Sequence, residues 1–284
     1  MVSASGRGTD LAAEEGMSTV LAAIDLGPSS ARVLYHAAGF ARLLSLELRI
    51  VHVTRQPSAD DRQRVLEFCR RNGPYEVDFD DGQIVVAPGI VSDGILRTSL
   101  RERARLIVMG SRGRRGVARM VLGSTCLAVM RGTRTPVLLA PPANLDIVNI
   151  SDRARLTCGP VLAAVDLVEQ CDRQLYVAAD MAKIAGQPLL MMTVAPTRLN
   201  DRAAGTMLRE RSHLLKDARP HALIVRHGDV AKEISRCAVS EGAGLIVMGL
   251  KARPRAKPGA IASAVLNTNR AFVLAVPGAR EVET

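Results

Sequence analysis

The sequence predicts an α/β protein made of two copies of one domain, each with a parallel sheet covered by helices on both faces. The run Val20-Leu-Ala-Ala-Ile-Asp25 recurs 141 residues later, ending at Asp166, and Leu106-Ile-Val-Met-Gly110 recurs 139 residues later, ending at Gly249. Similar offsets in the same order indicate a duplicated domain. Each copy also alternates short apolar runs with longer amphipathic runs, which favours a parallel sheet between two helical layers.

The first copy alternates strands and helices from its first apolar run onward. The predicted strands are Val20–Ile24, Leu48–Val53, Gln83–Ala87, Leu106–Met109 and Pro136–Ala140. After the first strand, Gly27-Pro28 breaks the extended chain, and Ser29 or Ser30 could cap a helix whose apolar stripe runs from Val33 to Leu44. Further helices are predicted at Asp60–Arg71, which Asn72-Gly73-Pro74 would end, and at Ile90–Glu102.

The second copy repeats the alternation. Its predicted strands are Val161–Val165, Pro188–Val194, Ala222–Val225, Leu245–Met248 and Phe272–Val276, and its predicted helices are Asp172–Ala185, Asp201–Asp217, Val230–Ser240 and Ala262–Thr268. The polar segment between the copies, with prolines at its start, indicates a linker. We therefore expect a disordered tail at 1–16, a first domain at 17–144, a linker at 145–157 and a second domain at 158–280.

Composition and charge restrict the classes of partner and compartment. The net charge of +10 favours anionic partners, although a solvated Arg-rich surface explains it equally well. Only 2% of residues are aromatic, so platforms for stacking bases are scarce and nucleic acid is not expected. Five cysteines without a CxxC pair argue against disulfides and a zinc site. With neither a signal peptide nor an apolar run of membrane-spanning length, we expect a cytoplasmic protein that does not insert into membranes.

The segment after the fourth strand of the first copy has the chemistry of a phosphate site. Gly110, Gly113 and Gly123 are followed by Ser124 and Thr125, in the spacing G-x2-G-x9-G-S. Glycines let the backbone approach an anion closely and adopt positive φ, and successive N–H groups can surround a phosphate. A helix beginning at Ser124 would add its N-terminal amides. The arginines around this segment are Arg112, Arg114, Arg115 and Arg119.

This loop, the strand-end Asp25 and the duplicated five-strand pattern together resemble the universal stress protein family, over residues 17 to 280 or so. The resemblance implies an adenine nucleotide alpha hydrolase-like fold, with strand order 3-2-1-4-5 in each copy, and an ATP-binding module of the stress response. It implies ATP as the cofactor, with or without Mg²⁺. Domains of this family pair through their fifth strands, which implies intramolecular pairing here, or a homodimer.

The resemblance also assigns roles to individual residues. Asp25 would contact the adenosine, the backbone of Val53 would meet the adenine, and Met109 with Gly110 would line the ribose and the turn. The phosphates would be held by Gly113, Gly123, Ser124 and Thr125, with Arg112 nearby. Alternatives remain open from the residues themselves: Asp25 could simply cap its own turn, and Val53 and Met109 could be ordinary core.

The second copy departs from this pattern in its loop. Ala252 and Ala262 stand where the first copy has glycines, and Pro254 and Pro258 lack N–H donors. We therefore predict weak or no ATP binding by the second copy, which would serve for pairing. Before its third helix, Asp229 is interpreted as an N-cap rather than a ligand.

Two other functions compete with the regulatory module. The sequence contains no GxxxxGK[ST], HExxH or GxSxG motif, and no nucleophile with an evident base beside it. No catalytic residue is therefore predicted, and enzyme activity would be at most that of a slow ATPase or nucleotide hydrolase. A scaffold that binds no nucleotide is the third possibility.

Overall fold

The computed structural model describes residues 18–111, 122–141, 146–150, 154–168, 172–216, 218–250, 260–268 and 271–278. The first half contains strands β1 (Thr19–Ile24), β2 (Glu47–Thr54), β3 (Ile84–Pro88), β4 (Ala104–Gly110) and β5 (Val137–Ala140), and helices α1 (Ser30–Leu44), α2 (Asp61–Asn72), α3 (Val91–Arg101) and α4 (Ser124–Gly132). Two short strands follow, β6 (Val148–Asn149) and β7 (Arg155–Leu156). The second half contains β8 (Val161–Ala164), β9 (Leu189–Ala195), β10 (Ala222–His227), β11 (Leu245–Leu250) and β12 (Phe272–Pro277), with helices α5 (Asp172–Ala185), α6 (Asp201–Ser212), α7 (Val230–Ser240) and α8 (Ala260–Thr268).

The ten long strands form one sheet in the order β10-β9-β8-β11-β12-β5-β4-β1-β2-β3. Within each half all pairs are parallel, and the strand order is 3-2-1-4-5. The predicted α/β class is therefore confirmed. The two five-stranded sheets form one continuous sheet, because β12 pairs antiparallel with β5.

The join between the halves has approximate twofold symmetry. Ile107 of β4 pairs with Val137, and its counterpart Ile246 pairs with Val273, so Val137 and Val273 are equivalent positions. At the join, Leu138 lies opposite its own counterpart, Leu274. An isologous contact of this kind is the geometry that two copies of one surface adopt when they pair.

The side chains of the sheet alternate between two hydrophobic cores, one on each face. In β1, for example, Val20 and Ala22 enter the core beneath α1, α2, α5 and α6, whereas Leu21 enters the core beneath α3, α4, α7 and α8. Both cores continue across the join. Strands buried on both faces must be apolar along their length, which explains the continuous aliphatic runs in the sequence.

The segment expected to be a linker contains the antiparallel pair β6–β7, which the sequence did not predict. It packs against α1, where a Cβ on Gly39 would lie only 2.5 Å from a Val148 methyl carbon. Arg42 of the same helix donates to the Ile150 carbonyl at 2.9 Å. Glycine at position 39 therefore provides the space in which this hairpin is seated.

Several helix ends differ from expectation in detail. Ser29 occupies the N-cap position of α1 without a side-chain cap bond, and the Ser30 hydroxyl is hydrogen-bonded to Asp25 instead. Helix α6 ends at Ser212, before the predicted Asp217, which lies outside the described residues. The Asp229 interpretation is confirmed, since its carboxylate accepts from the Lys232 N–H at 2.9 Å.

Candidate functional site

The carboxyl ends of β1 and β4 lie side by side at the centre of the first half. β1 pairs with β4 through Ala23 and Met109, and with β2 through Ile24 and His52. The chain proceeds from β1 outward to β2 and β3 on one side, and then crosses to β4 and β5 on the other. Such a reversal of strand order leaves a crevice beyond the strand ends, where ligands of open α/β sheets bind.

Asp25 forms a tight turn directly after β1. Its Oδ1 accepts from the Gly27 N–H and from the Ser30 hydroxyl, both at 2.9 Å. Leu26 within the turn has φ of 60°, a left-handed conformation that is uncommon outside glycine. The turn-capping alternative is thus observed for Asp25. Asp166 of the second half accepts from the Val168 N–H in the same way, at 2.9 Å.

The side chains of Val53 and Met109 belong to the core beneath α3 and α4. α3 approaches Val53 closely, because a Cβ on Gly94 would lie 2.7 Å from its methyl carbons. Ala23, on the same face, is partly exposed at the strand end. Both side chains are therefore part of the core, and the contacts of the Val53 backbone and of Met109 with a nucleotide stay predictions.

Four hydrogen bonds fix the chain on either side of residues 112–121. The Ser111 N–H donates to the Ala140 carbonyl at 3.0 Å, and the Gly123 N–H donates to the Ser111 carbonyl at 3.1 Å. The Cys126 thiol donates to the Gly110 carbonyl at 3.0 Å, and the Leu122 N–H donates to the Ser263 hydroxyl at 3.2 Å. Both ends of this stretch are therefore held at the carboxyl edge of β4.

These bonds correct one detail expected of Gly123. Its N–H is engaged with Ser111, so it does not serve as a phosphate donor in this arrangement. Its backbone, with φ of −59° and ψ of 145°, is also one that any residue can adopt. The value of glycine at this position therefore lies in its missing side chain and not in positive φ.

Helix α4 begins at Ser124, as the sequence predicted. The first amide to donate within the helix is that of Leu127, to the Gly123 carbonyl at 3.1 Å. The N–H groups of Ser124 and Thr125 precede that bond, and both side chains retain solvent exposure. Backbone amides at a helix N-terminus, with the positive end of its dipole, favour an anion.

The buried Cys126 side chain links the first turn of α4 to the end of β4. Burial raises the pKa of its thiol to about 12, so the sulfur keeps its proton and can donate to the Gly110 carbonyl. This contact could not be predicted from the sequence, because a single cysteine inside an apolar run belongs to no recognisable motif. The same is true of the Ser30–Asp25 bond, which joins residues on opposite sides of a turn.

The two remaining predicted site residues, Arg112 and Gly113, lie outside the described residues, as do Arg114, Arg115 and Arg119. In the second half, the same applies to Ala252, Pro254 and Pro258. Ala262 lies within the described residues, and its methyl group is buried in the core beneath α3, α4, α7 and α8. The position equivalent to Gly123 in the second half therefore carries a methyl group that packs in the core.

Among the described residues, no helix is long and apolar enough to cross a lipid bilayer. No cluster of three or more His, Cys, Asp or Glu side chains within these residues could hold a metal ion.

Comparisons with known proteins add independent evidence. Residues 75–141 match the model of the Universal stress protein family. A solved structure described as a universal stress protein from Pseudomonas aeruginosa UCBPP-PA14 aligns with 93% of this chain and 94% of its own, at 19% identity and a TM-score of 0.65. A universal stress protein from Archaeoglobus fulgidus DSM 4304 aligns over 92% and 99%, at 21% identity and a TM-score of 0.64.

A shorter structure, the universal stress protein from Archaeoglobus fulgidus in complex with dAMP, covers 42% of this chain and 97% of its own, at 24% identity and a TM-score of 0.35. No curated protein sequence matches the chain. The resemblance to the universal stress protein family is nevertheless confirmed, by the family match within the first half and by a fold shared over nearly the whole chain.

Proposed function

We propose that the first half binds ATP at the carboxyl ends of β1 and β4 and that the protein acts as a regulatory module of the stress response. The observation that carries the proposal is the meeting of three features at one point: the reversal of strand order, the turn at Asp25 and the N-terminus of α4. A nucleotide needs a crevice, a polar partner for its sugar and amides for its phosphates, and these features supply all three.

In this proposal Asp25 contacts the ribose through Oδ2, since Oδ1 is used within the turn. The base would lie near Ala23 and the backbone of Val53. The phosphates would meet Ser124 and Thr125, while Gly110, Gly113 and Arg112 would line the approach. The second half would bind ATP weakly or not at all, because Ala262 is packed into the core.

Calorimetric titration of the full chain with ATP tests the proposal. We expect about one nucleotide per chain, and we expect Gly123→Val to abolish binding with the fold intact. Valine tolerates the backbone angles of this residue, so the change adds bulk beside the helix N-terminus without backbone strain. Gly205→Val is the matched control, since a Cβ at Gly205 would have no neighbour within 4 Å.

Wild-type protein that fails to bind ATP, or a Gly123→Val variant of unchanged affinity, would contradict the proposed site. Binding of two nucleotides per chain would contradict the degenerate second half. Multiple-turnover phosphate release that tracks the wild-type protein would favour the slow ATPase instead.

A further inference from the structure

Ser263 of the second half reaches the candidate site of the first half. Its hydroxyl oxygen accepts the N–H of Leu122 at 3.2 Å, across 141 residues of sequence. Leu122 is the residue immediately before Gly123, and α4 begins one residue later. A side chain from one half therefore holds the backbone that leads into the helix N-terminus of the other.

The surroundings of this hydrogen bond are apolar. Leu122 is only 4% exposed, and it shares a core with Ala262, Val265 and Leu266 of α8. A buried N–H without a partner is costly, because it has lost its bond to water and gained nothing. The Ser263 hydroxyl satisfies this donor from α8.

The sequence of the second half is consistent with such a role. The residues Gly123, Thr125 and Cys126 have the counterparts Ala262, Ala264 and Val265, so the features suited to an anion have been replaced. Among residues 262–265, only Ser263 has the same residue type as its counterpart, Ser124. Its hydroxyl in the second half accepts a bond from the first half.

We propose that Ser263 is a positioning residue for nucleotide binding by the first half, so that the site is incomplete without the second half. Ser263 acts through Leu122: the bond fixes where the chain enters α4, and thereby where the amides of Ser124 and Thr125 point. This inference rests on the proposed ATP site, and it gives the second half a part in binding beyond pairing.

The test compares the affinities of the full chain and its Ser263→Ala variant for ATP and for adenosine. We expect the variant to bind ATP about fivefold more weakly, equivalent to about 1 kcal/mol, and adenosine as well as the wild type does. The separate variant Ser263→Thr, which keeps the hydroxyl, should bind ATP as tightly as the wild type. Hydrogen exchange at the Leu122 amide, measured without nucleotide, should accelerate in Ser263→Ala and not in Ser263→Thr.

Leu274→Ala is the control for a general weakening of the join, because Leu274 lies at the β5–β12 pairing and not at the loop. It should leave ATP affinity unchanged. Equal ATP affinity of wild type and Ser263→Ala would overturn the inference while leaving the proposed function standing. An equal loss for adenosine, or the same loss in Leu274→Ala, would reduce Ser263 to a structural contact. Absence of ATP binding by the wild type would defeat both proposals.

Discussion

At the scale of single residues, the most informative side chain outside the candidate site is His36. It is fully buried between α1, the β6–β7 hairpin and the second half, with its ring centroid 4.4 Å from that of Phe272. Nδ1 lies 2.9 Å from the Arg32 carbonyl, and Nε2 lies 3.4 Å from the Ile147 nitrogen. The backbone thus requires a neutral ring with its proton on Nδ1.

Burial lowers the pKa of His36 from 6.5 to about 4, against the opposing effects of the Arg32 carbonyl and of Asp146. Its contribution to stability is therefore complete above pH 6.5 and is lost as the pH falls towards 4. Relative to His36→Gln, which does not titrate, the wild type should lose about 2.5 kcal/mol of unfolding free energy between pH 7.5 and 4.5.

Urea denaturation of both proteins at the two pH values measures this difference. If the difference in unfolding free energy between wild type and variant stays constant with pH, His36 does not remain neutral in the folded protein. Asp146, whose Oδ1 lies 3.7 Å from Nε2, is the group that could keep the ring charged.

At the scale of elements, the hairpin β6–β7 is positioned by the surface of α1 rather than by its own length, since each strand has only two residues. The contact depends on the absence of a side chain at Gly39, against which Val148 is packed. Isolated two-stranded hairpins are marginally stable, so this one must derive its stability from packing.

We therefore expect Gly39→Val to destabilise the protein by about 2 kcal/mol, because the new side chain would overlap Val148. Gly205→Val in α6, where a Cβ meets nothing within 4 Å, should be close to neutral. Thermal denaturation measures both. Adding Val148→Ala to Gly39→Val should recover part of the loss, and strictly additive effects would show that the two residues do not interact.

At the scale of the whole molecule, the two halves share one sheet and both cores. Besides the β5–β12 pairing, Arg173 of α5 donates to the Arg134 carbonyl of the first half at 2.7 Å. Domains with separate cores can unfold separately, whereas elements that share a core unfold together. We infer that the chain behaves as one cooperative unit.

Leu274→Ala tests this inference at the centre of the join, where the side chain is 1% exposed. The substitution should cost about 2–4 kcal/mol. Native-state hydrogen exchange should show the same loss in β1 of the first half and in β8 of the second. A loss confined to the second half would show that the halves unfold independently.

Much of this architecture could be read from the sequence. Strand and helix positions followed from apolar periodicity, and most bounds agree within one or two residues. The β6–β7 hairpin was missed because two-residue strands leave no periodic signal. The start of α4 was predicted correctly, but the engagement of the Gly123 amide was not, because its partner lies across a twelve-residue stretch.

The sequence by itself determined the duplication, the parallel sheets and the asymmetry between the glycine-bearing and alanine-bearing loops, because these follow from residue types and their spacing. Only the tertiary structure decided that Asp25 caps its own turn, that His36 is sealed against the second half and that Ser263 supports Leu122. The Asp25 turn is local, and the sequence alone left it open between capping and ligand contact. The other two contacts join residues on separate elements, and their formation depends on how helices and strands pack. The periodicity of apolar residues along a chain does not predict that packing.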